Sequence, residues 1–356
     1  MPRLPWPLFG KLACLYLIAS LGGYLASRIG IPLPWMIGPL LVTAALSLGG
    51  VLKMTVPAAT RPPAQALVAA QVGLYFTPAA MASVVSFAPM LFGMALVTLA
   101  LACLIGAALA WSAKISLANA VVATLPTSPV EAAVIAEQYG FATTPVVLAQ
   151  TLRTSSVVVI VPLTIYALKD VAARPVTEAV WRLHLPSALM MVMLMLAGVW
   201  LFKRLKISNP NFLGPLTFLC LASVLDLGLR PLPNWVTDGA QLVMGCWLGA
   251  MLRREVFRRA GRLMSALILT TFSYIFIAML CGYGLARALG MDWELMVLGT
   301  APGGVTEMAL TSKYLGSGVA LVTAFHIIRL FTIMPNVPRI IAFLHWLEQR
   351  SNRPAA

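Results

Sequence analysis

Long apolar stretches, separated by short polar connections, recur along the whole chain. A helix needs roughly 20 apolar residues to cross the hydrocarbon core of a bilayer, and many of these stretches reach that length. The pattern predicts an all-α polytopic membrane protein with six hydrophobic segments in each half. The segments are 8–28, 33–52, 62–80, 83–112, 115–139 and 143–168 in the first half, and 184–203, 209–228, 236–252, 263–288, 291–315 and 319–346 in the second.

The fifth segment of each half is interrupted in its middle. A short apolar run leads to a cluster of proline with threonine, serine or glycine, and a more polar stretch with Glu137 or Lys313 follows. Neither part is long enough to cross a bilayer alone. We therefore predict that segments 115–139 and 291–315 are broken or re-entrant.

The two halves resemble each other at one constant offset. A shift of 176 residues places IPLPWMIGPL (31–40) on ISNPNFLGPL (207–216), Glu131 on Glu307 and Arg153 on Arg329. Such matches of proline, glycine and charged residues mean more than matches of alanine or leucine, so they indicate a duplication. The predicted division is a first membrane repeat at 1–168, a linker at 169–182, a second membrane repeat at 183–349 and a basic cytoplasmic tail at 350–356.

Equivalent connections of the two repeats carry opposite charge bias. The connection after the third segment is uncharged in the first half, FTPAAMASVVSFAP, but it is RREVFRRAGR in the second half. Basic connections stay on the cytoplasmic side, so we predict that the repeats are inverted across the membrane. Five crossing helices plus a re-entrant fifth segment give each repeat the odd number of crossings that inversion requires, and both termini are then cytoplasmic.

Composition supports the membrane class and narrows the function. Hydrophobic residues make up 60% of the chain and charged residues only 10%, against about a quarter in soluble proteins. The net charge of +14 lies mainly in connections and at the ends, as the positive-inside bias requires, so we expect no nucleic-acid partner. The five cysteines lack CxxC spacing and the three histidines are dispersed, so we expect no metal, no cofactor and no enzymatic activity.

The two interruptions carry the candidate chemistry. A helix broken inside a bilayer exposes backbone polar groups that lipid cannot satisfy, so it must face protein, water or substrate. In the first break Ser128, Pro129 and Glu131 have the spacing of a capping box. In the second break Gly304 takes the N-cap position and Glu307 the third helical position. The glutamates either cap the half-helices only, or also bind a proton, a cation or a substrate group.

Two arginines fall near the predicted middle of the bilayer. Arg153 and Arg329 come about ten residues into the last segments of their halves, roughly 15 Å deep at 1.5 Å per residue. Each needs a counter-charge, so we predict either a structural pair with the glutamate of its break or an anionic ligand. Gln150 and His326 lie one turn earlier on the same face. His326 is either a packed, hydrogen-bonded residue or part of a proton relay.

The candidate substrate- and ion-binding residues therefore cluster at the breaks and on the segments that follow them. They are Pro126, Thr127, Ser128, Glu131, Gln150 and Arg153 in the first half, and Pro302, Gly303, Gly304, Glu307, His326 and Arg329 in the second.

The stretch APGGVTEMALTSKYLGSGVALVTAFHIIRLF (301–331) resembles the AbrB family of membrane proteins. In that family a Pro-Gly-Gly-x-x-Glu-Met element precedes ALVxxxHxxR, and IPLPWMIGPLL (31–41) is similar to the signature of its first repeat. The resemblance covers essentially the whole chain and implies a polytopic protein of the bacterial inner membrane. The family motif falls on Pro302, Gly303, Gly304, Glu307, Met308, His326 and Arg329.

The first repeat departs from this motif, since Thr127 and Ser128 stand where two glycines would be expected. The family label implies a regulator of gene expression or an ammonia monooxygenase, and it is distinct from the small DNA-binding regulators of the same name. In organisation the family is similar to the cation/proton antiporter and bile-acid symporter superfamily.

These observations favour a secondary transporter that moves a small organic anion or zwitterion together with protons or sodium ions. The alternative is a membrane-embedded regulator of gene expression that acts through a partner. Ammonia oxidation is disfavoured because the chain offers no credible ligand set for a redox metal. Glycine-rich faces of the first two segments are compatible with a homodimer or with packing inside one chain.

Overall fold

The structure is a computed structural model that describes residues 6–52, 54, 56–169, 181–259 and 261–351. Within these ranges all regular secondary structure is helical, and the all-α prediction is confirmed. Most of the predicted linker 169–182 and of the predicted tail 350–356 lies outside the described residues.

The helices of the first half are α1 (Trp6–Arg28), α2 (Pro34–Leu48), α3 (Arg61–Gly73), α4 (Pro78–Ser86), α5 (Ala88–Ala113), α6 (Leu117–Thr124), α7 (Pro129–Gln138) and α8 (Thr143–Leu168). Those of the second half are α9 (Leu185–Arg204), α10 (Pro210–Val224), α11 (Asn234–Ala250), α12 (Arg254–Arg259), α13 (Gly261–Leu289), α14 (Trp293–Thr300), α15 (Val305–Leu315), α16 (Val319–Ile333) and α17 (Val337–Ser351). Short 3-10 turns at Ala58–Thr60 and Met334–Asn336 precede α3 and α17.

Six helical stretches of the described part are long and apolar enough to cross a membrane, which makes the chain a multi-pass membrane protein. They are Gly10–Arg28, Ala88–Ala113, Thr143–Leu168, Leu185–Arg204, Gly261–Leu289 and Val319–Trp346. Helices α2 and α10 are apolar but have only 15 residues each, fewer than the predicted segments 33–52 and 209–228 imply.

Two predicted segments differ from the continuous helices that hydrophobicity suggests. The predicted segment 62–80 is bent by 92° between α3 and α4, at a break that ends with Pro78. The predicted segment 319–346 passes through the 3-10 turn at Met334–Asn336, which contains Pro335. Proline lacks an N–H donor and its ring clashes with the preceding turn, so a regular α-helix is interrupted at such positions.

The structure repeats at the same offset as the sequence. Shifting α2 by 176 residues gives the bounds of α10, and shifting α6 gives the bounds of α14. Both α2 and α10 begin at proline after a residue in the left-handed conformation, Leu33 at φ 48° and Asn209 at φ 52°. The opposite orientation of the two repeats across a membrane stays a prediction.

The chain forms two compact units, and each combines segments of both repeats. The first unit comprises Met1–Val85, Pro162–Glu255 and Ala309–Leu321. In it α2 packs against α1 and α11, and α10 packs in the equivalent way against α9 and α3. The α9–α10 pair meets through backbone, because a β-carbon on Gly198 would overlap the Gly214 carbonyl. The predicted repeat boundaries cut the chain differently from these units and stay a prediction.

The second unit comprises Ser86–Val161, Val256–Met308 and Val322–Ala356. Its centre is the packing of α5 against α13, while α6 lies on α5 and α14 lies on α13. The short helices approach closely because Gly106 and Gly282 have no side chain. A β-carbon on Gly106 would lie 2.8 Å from Val121 Cα, and one on Gly282 would lie 2.9 Å from Val297 Cα. Both helix breaks lie in this unit.

Candidate functional site

Both fifth segments are broken at equivalent positions. Helix α6 ends at Thr124 and α7 begins at Pro129, while α14 ends at Thr300 and α15 begins at Val305. The residue after each short helix is extended, with ψ 135° at Leu125 and ψ 134° at Ala301. The next residue is Pro126 or Pro302, and proline excludes its predecessor from the helical region. The prolines therefore explain why each short helix ends where it does, and both prolines are buried.

A threonine at the end of each short helix fastens it to its neighbour. The Thr124 hydroxyl donates to the Ala102 carbonyl at 2.8 Å, and the Thr300 hydroxyl donates to the Ala278 carbonyl at 3.0 Å. These bonds join α6 to α5 and α14 to α13. The threonines match at the offset of the repeat, but sequence reasoning assigned them no role.

The buried arginines bind the backbone carbonyls that each break leaves free. The Arg153 guanidinium donates to the carbonyls of Thr124 at 3.0 Å, Leu125 at 2.8 Å and Thr127 at 3.0 Å. Arg329 repeats this pattern, because it donates to the carbonyls of residues 301 and 303 at 2.9 and 2.7 Å. Only 3% of each arginine is exposed, so these contacts are shielded from solvent.

This arrangement is a third alternative beside the two that the sequence suggested. We predict a counter-charge from a glutamate or an anionic ligand, whereas both guanidinium groups donate to backbone carbonyls at the end of the short helix and within the break, and Arg153 donates in addition to the Gln150 side-chain oxygen. A helix C-terminus carries about half a negative elementary charge on its unpaired carbonyls, so it serves as a partial counter-ion. The sequence indicates that Arg153 and Arg329 are buried and need partners, but it does not reveal that these partners are backbone carbonyls of the breaks.

Gln150 and His326 occupy equivalent positions but hold their breaks differently. The Gln150 amide donates to the carbonyls of Val122, Ala123 and Leu125 at 3.3, 3.1 and 2.8 Å, and its oxygen accepts from Arg153 at 2.7 Å. His326 Nε2 lies 3.0 Å from a single carbonyl, that of Leu298. His326 Nδ1 is buried without a hydrogen-bond partner among the described residues.

Glu131 forms the predicted capping box. The Ser128 hydroxyl accepts from the Glu131 backbone N–H at 3.2 Å, and Glu131 Oε2 accepts from the Ser128 N–H at 3.4 Å. The Thr127 and Ser128 hydroxyls also donate to Oε2, at 2.8 and 3.0 Å. The three hydrogen bonds that the carboxylate accepts all end on Oε2, so Oε1 is the oxygen that is left for other partners.

Glu307 occupies the equivalent place in a tighter setting. The Gly304 carbonyl accepts from the Met308 N–H at 3.0 Å, as an N-cap residue does. A β-carbon on Gly304 would overlap the Glu307 carboxylate, so glycine is required for this carboxylate position. A β-carbon on Gly303 would lie 2.9 Å from the Met308 side chain. Glu307 is only 5% exposed, whereas Glu131 is partly exposed.

The charges at each break sum to about zero. One arginine and the N-terminus of the second half-helix contribute about +1 and +0.5, and the C-terminus of the first half-helix and one glutamate contribute about −0.5 and −1. A neutral or zwitterionic ligand leaves this balance intact. An anion disturbs it unless a proton or a cation enters as well.

Comparison with known proteins places the chain in a family. The family model AbrB, described as "Transition state regulatory protein AbrB", matches residues 1–153 and 129–345. The chain is 24% identical over 347 residues to "Putative regulator AbrB" of Escherichia coli (strain K12), covering 97% of each protein. It is 26% identical over 360 residues to "Uncharacterized protein YhjN" of Bacillus subtilis (strain 168), covering 93% of this chain and 92% of that protein. No solved structure matches the chain. The chain belongs to the AbrB family.

Proposed function

We propose that this membrane protein is a secondary transporter that moves a small organic anion or zwitterion together with a proton or a sodium ion. The observation that carries the proposal is the pair of matched helix breaks in one unit. Each break has an arginine on its carbonyl end and a glutamate on its N–H end.

The cost of this arrangement supports a functional role. An uninterrupted helix satisfies its own backbone, whereas each break exposes carbonyl and N–H groups inside a membrane protein. The chain satisfies them with buried charged side chains, which are themselves expensive to desolvate. A purely structural role would be met by a continuous helix, so the duplicated break favours a site at which backbone and charge face a solute.

The charge balance at each break supports the coupling of anion transport to a proton or a sodium ion. When an organic anion enters a site whose fixed charges sum to about zero, the added negative charge is uncompensated in a medium of low dielectric constant. Protonation of Glu131 or Glu307 restores neutrality, and so does a sodium ion bound to a carboxylate oxygen and freed carbonyls. Either cation would then move with the substrate.

Glu131 is the better candidate for exchanging the coupling ion. It is partly exposed and its Oε1 remains outside the capping hydrogen bonds, whereas Glu307 is 5% exposed. Glu137 lies on the same helix, is exposed and is outside the break. Glu131→Gln and Glu137→Gln therefore form a matched pair in which the same chemical change is made inside and outside the proposed site.

The test is uptake by proteoliposomes that contain the purified full chain. Carboxylates and amino acids are screened under an imposed pH gradient and, separately, under a sodium gradient. We expect flux above empty vesicles for one class of solute, its loss in Glu131→Gln and its retention in Glu137→Gln. No flux for any solute under either gradient would refute the proposal. A deletion strain with altered transcripts but unchanged solute content would favour the membrane-embedded regulator instead.

A further inference from the structure

Helix α17 contacts both half-helices of the first break at the ends that lie away from the break. Glu348 Oε1 accepts a hydrogen bond from the N–H of Leu117, the first residue of α6. The His345 ring packs edge-on against Phe141, with 5.7 Å between the ring centroids. Phe141 lies in the connection between α7 and α8. One helix therefore contacts the start of α6 and the connection that follows α7.

An apolar face of α17 packs on the same part of the second unit. Val337, Ile341 and Leu344 follow one another at helical spacing, and each is at most 6% exposed. They belong to one buried cluster with the α6 residues Ala118 and Val121, and α17 packs against α6. The hydrogen bond from Leu117 to Glu348 is therefore supported by a buried apolar interface between the two helices.

The first repeat lacks the acidic residues that begin the equivalent helix of the second repeat. Helix α14 has Asp292 at its N-cap and Glu294 in its first turn. At the offset of 176 residues these correspond to Ser116 and Ala118. A helix N-terminus carries about half a positive elementary charge, so a carboxylate near it is stabilising. Glu348 brings this carboxylate to α6 from 231 positions away along the chain.

The position of α6 decides where the carbonyls of the first break lie. Helix α6 has eight residues, and at 1.5 Å per residue it is about 12 Å long. A helix this short is not stable by itself, so contacts with its neighbours hold it in place. Its far end carries the Thr124 and Leu125 carbonyls that bind Arg153. A shift of α6 at Leu117 therefore also shifts the acceptors of Arg153.

We propose that α17 is a clamp on the first break and that Glu348 is its positioning residue. Glu348 holds the start of α6, and α6 in turn fixes the carbonyls that Arg153 binds at the break. The inference does not rest on transport, because it concerns the folded protein without any solute. It also gives the end of the chain a defined role in shaping the candidate site.

The test is hydrogen–deuterium exchange of the full chain in detergent, read at the amides of 121–125 next to the break. Glu348→Ala removes a charge-assisted hydrogen bond and should speed exchange there roughly tenfold or more, while 296–300 of α14 keeps its rate. Glu348→Gln keeps an acceptor oxygen without the charge and should lie between. Arg339→Gln changes an exposed charge on the same helix and serves as the control.

A second variant separates the position of α6 from the charge at its N-terminus. Ser116→Asp combined with Glu348→Ala gives α6 an acidic cap, as in α14, but no hydrogen bond to α17. We expect exchange at 121–125 to stay raised in this double variant. A return to wild-type rates would overturn the proposal, because Glu348 would then act only as a helix cap.

The pattern of exchange along the chain gives two further outcomes that would overturn the clamp. In Glu348→Ala, a rise confined to 117–119 would show that the start of α6 does not fix its far end. An equal rise in α6 and α14 would show a general loss of stability and no specific link to the first break. If Glu348→Ala does not fold, Glu348→Gln is judged by the same comparisons.

Discussion

Replacing Arg329 with methionine tests whether the guanidinium holds the second break together. Arg329 donates to the carbonyls of Ala301 and Gly303, and both acceptors are buried. Methionine fills similar space without a donor, so both carbonyls lose this partner. Each buried polar group left unpaired costs about 1–3 kcal/mol. Relief from burying a charge offsets part of that cost, so we expect the free energy of unfolding to fall by about 2–4 kcal/mol.

The assay is chemical denaturation of the full chain in detergent, followed by circular dichroism. Arg329→Lys should lie between wild type and Arg329→Met, because an ammonium group is a point donor and lacks the fork that reaches two carbonyls. Arg153→Met should cost more than Arg329→Met, because the Thr124 and Thr127 carbonyls and the Gln150 side-chain oxygen all lose Arg153, whereas only the Leu125 carbonyl keeps a partner, the Gln150 amide at 2.8 Å. Arg287→Met changes an exposed arginine on α13 and serves as the control.

A nearly unchanged stability of Arg329→Met would refute the bracing role of the guanidinium. If its free energy of unfolding lies within about 0.5 kcal/mol of the wild-type value, as for a surface substitution, the carbonyl contacts do not stabilise the break. If that stable variant has also lost transport, the guanidinium acts on a solute and not on the backbone. A loss of stability in Arg329→Met that only equals the loss in the control Arg287→Met would likewise contradict a bracing role.

Three further substitutions probe the caps and contacts of the half-helices, each by its effect on the free energy of unfolding. Ser128→Ala removes the N-cap hydroxyl of α7 and should cost about 1 kcal/mol, and no change would contradict the cap. Gly282→Val forces α14 away from α13 and should cost about 1–3 kcal/mol, whereas Gly284→Val, which faces open space, should cost less. His326→Gln copies Gln150 and should stabilise by about 0.5–1.5 kcal/mol, so a destabilised variant would show that the histidine nitrogen has a needed partner.

Much of the fold follows from hydrophobic length and from the duplication. The crossing helices α5, α8, α9 and α13 are apolar over more than a bilayer width, so length alone identifies them. The bend between α3 and α4 could not be read in this way, because the apolar pattern continues through it. Its position depends on how the chain packs, and a proline near a break shows only that a regular helix is interrupted.

The helix break and its cap were predictable from the sequence, but the contacts of the arginines were not. Pro126 predicts a helix end, and Ser128 with Glu131 predicts a capped helix start. These signals depend only on neighbouring residues, so the sequence alone is enough to find them. The partner of Arg153 is a set of carbonyls about 26–29 positions away along the chain, and every residue has a carbonyl. Side-chain charge patterns therefore point to glutamate as the partner and miss the backbone.

The duplication also shows why the two breaks need not act alike. Arg153 and Gln150 make seven hydrogen bonds around the first break, whereas Arg329 and His326 make three around the second. At about 1 kcal/mol for each bond, the first break is held more firmly by several kcal/mol. The arginine and the residue one turn before it therefore brace the first break through more of its carbonyls than they do at the second break.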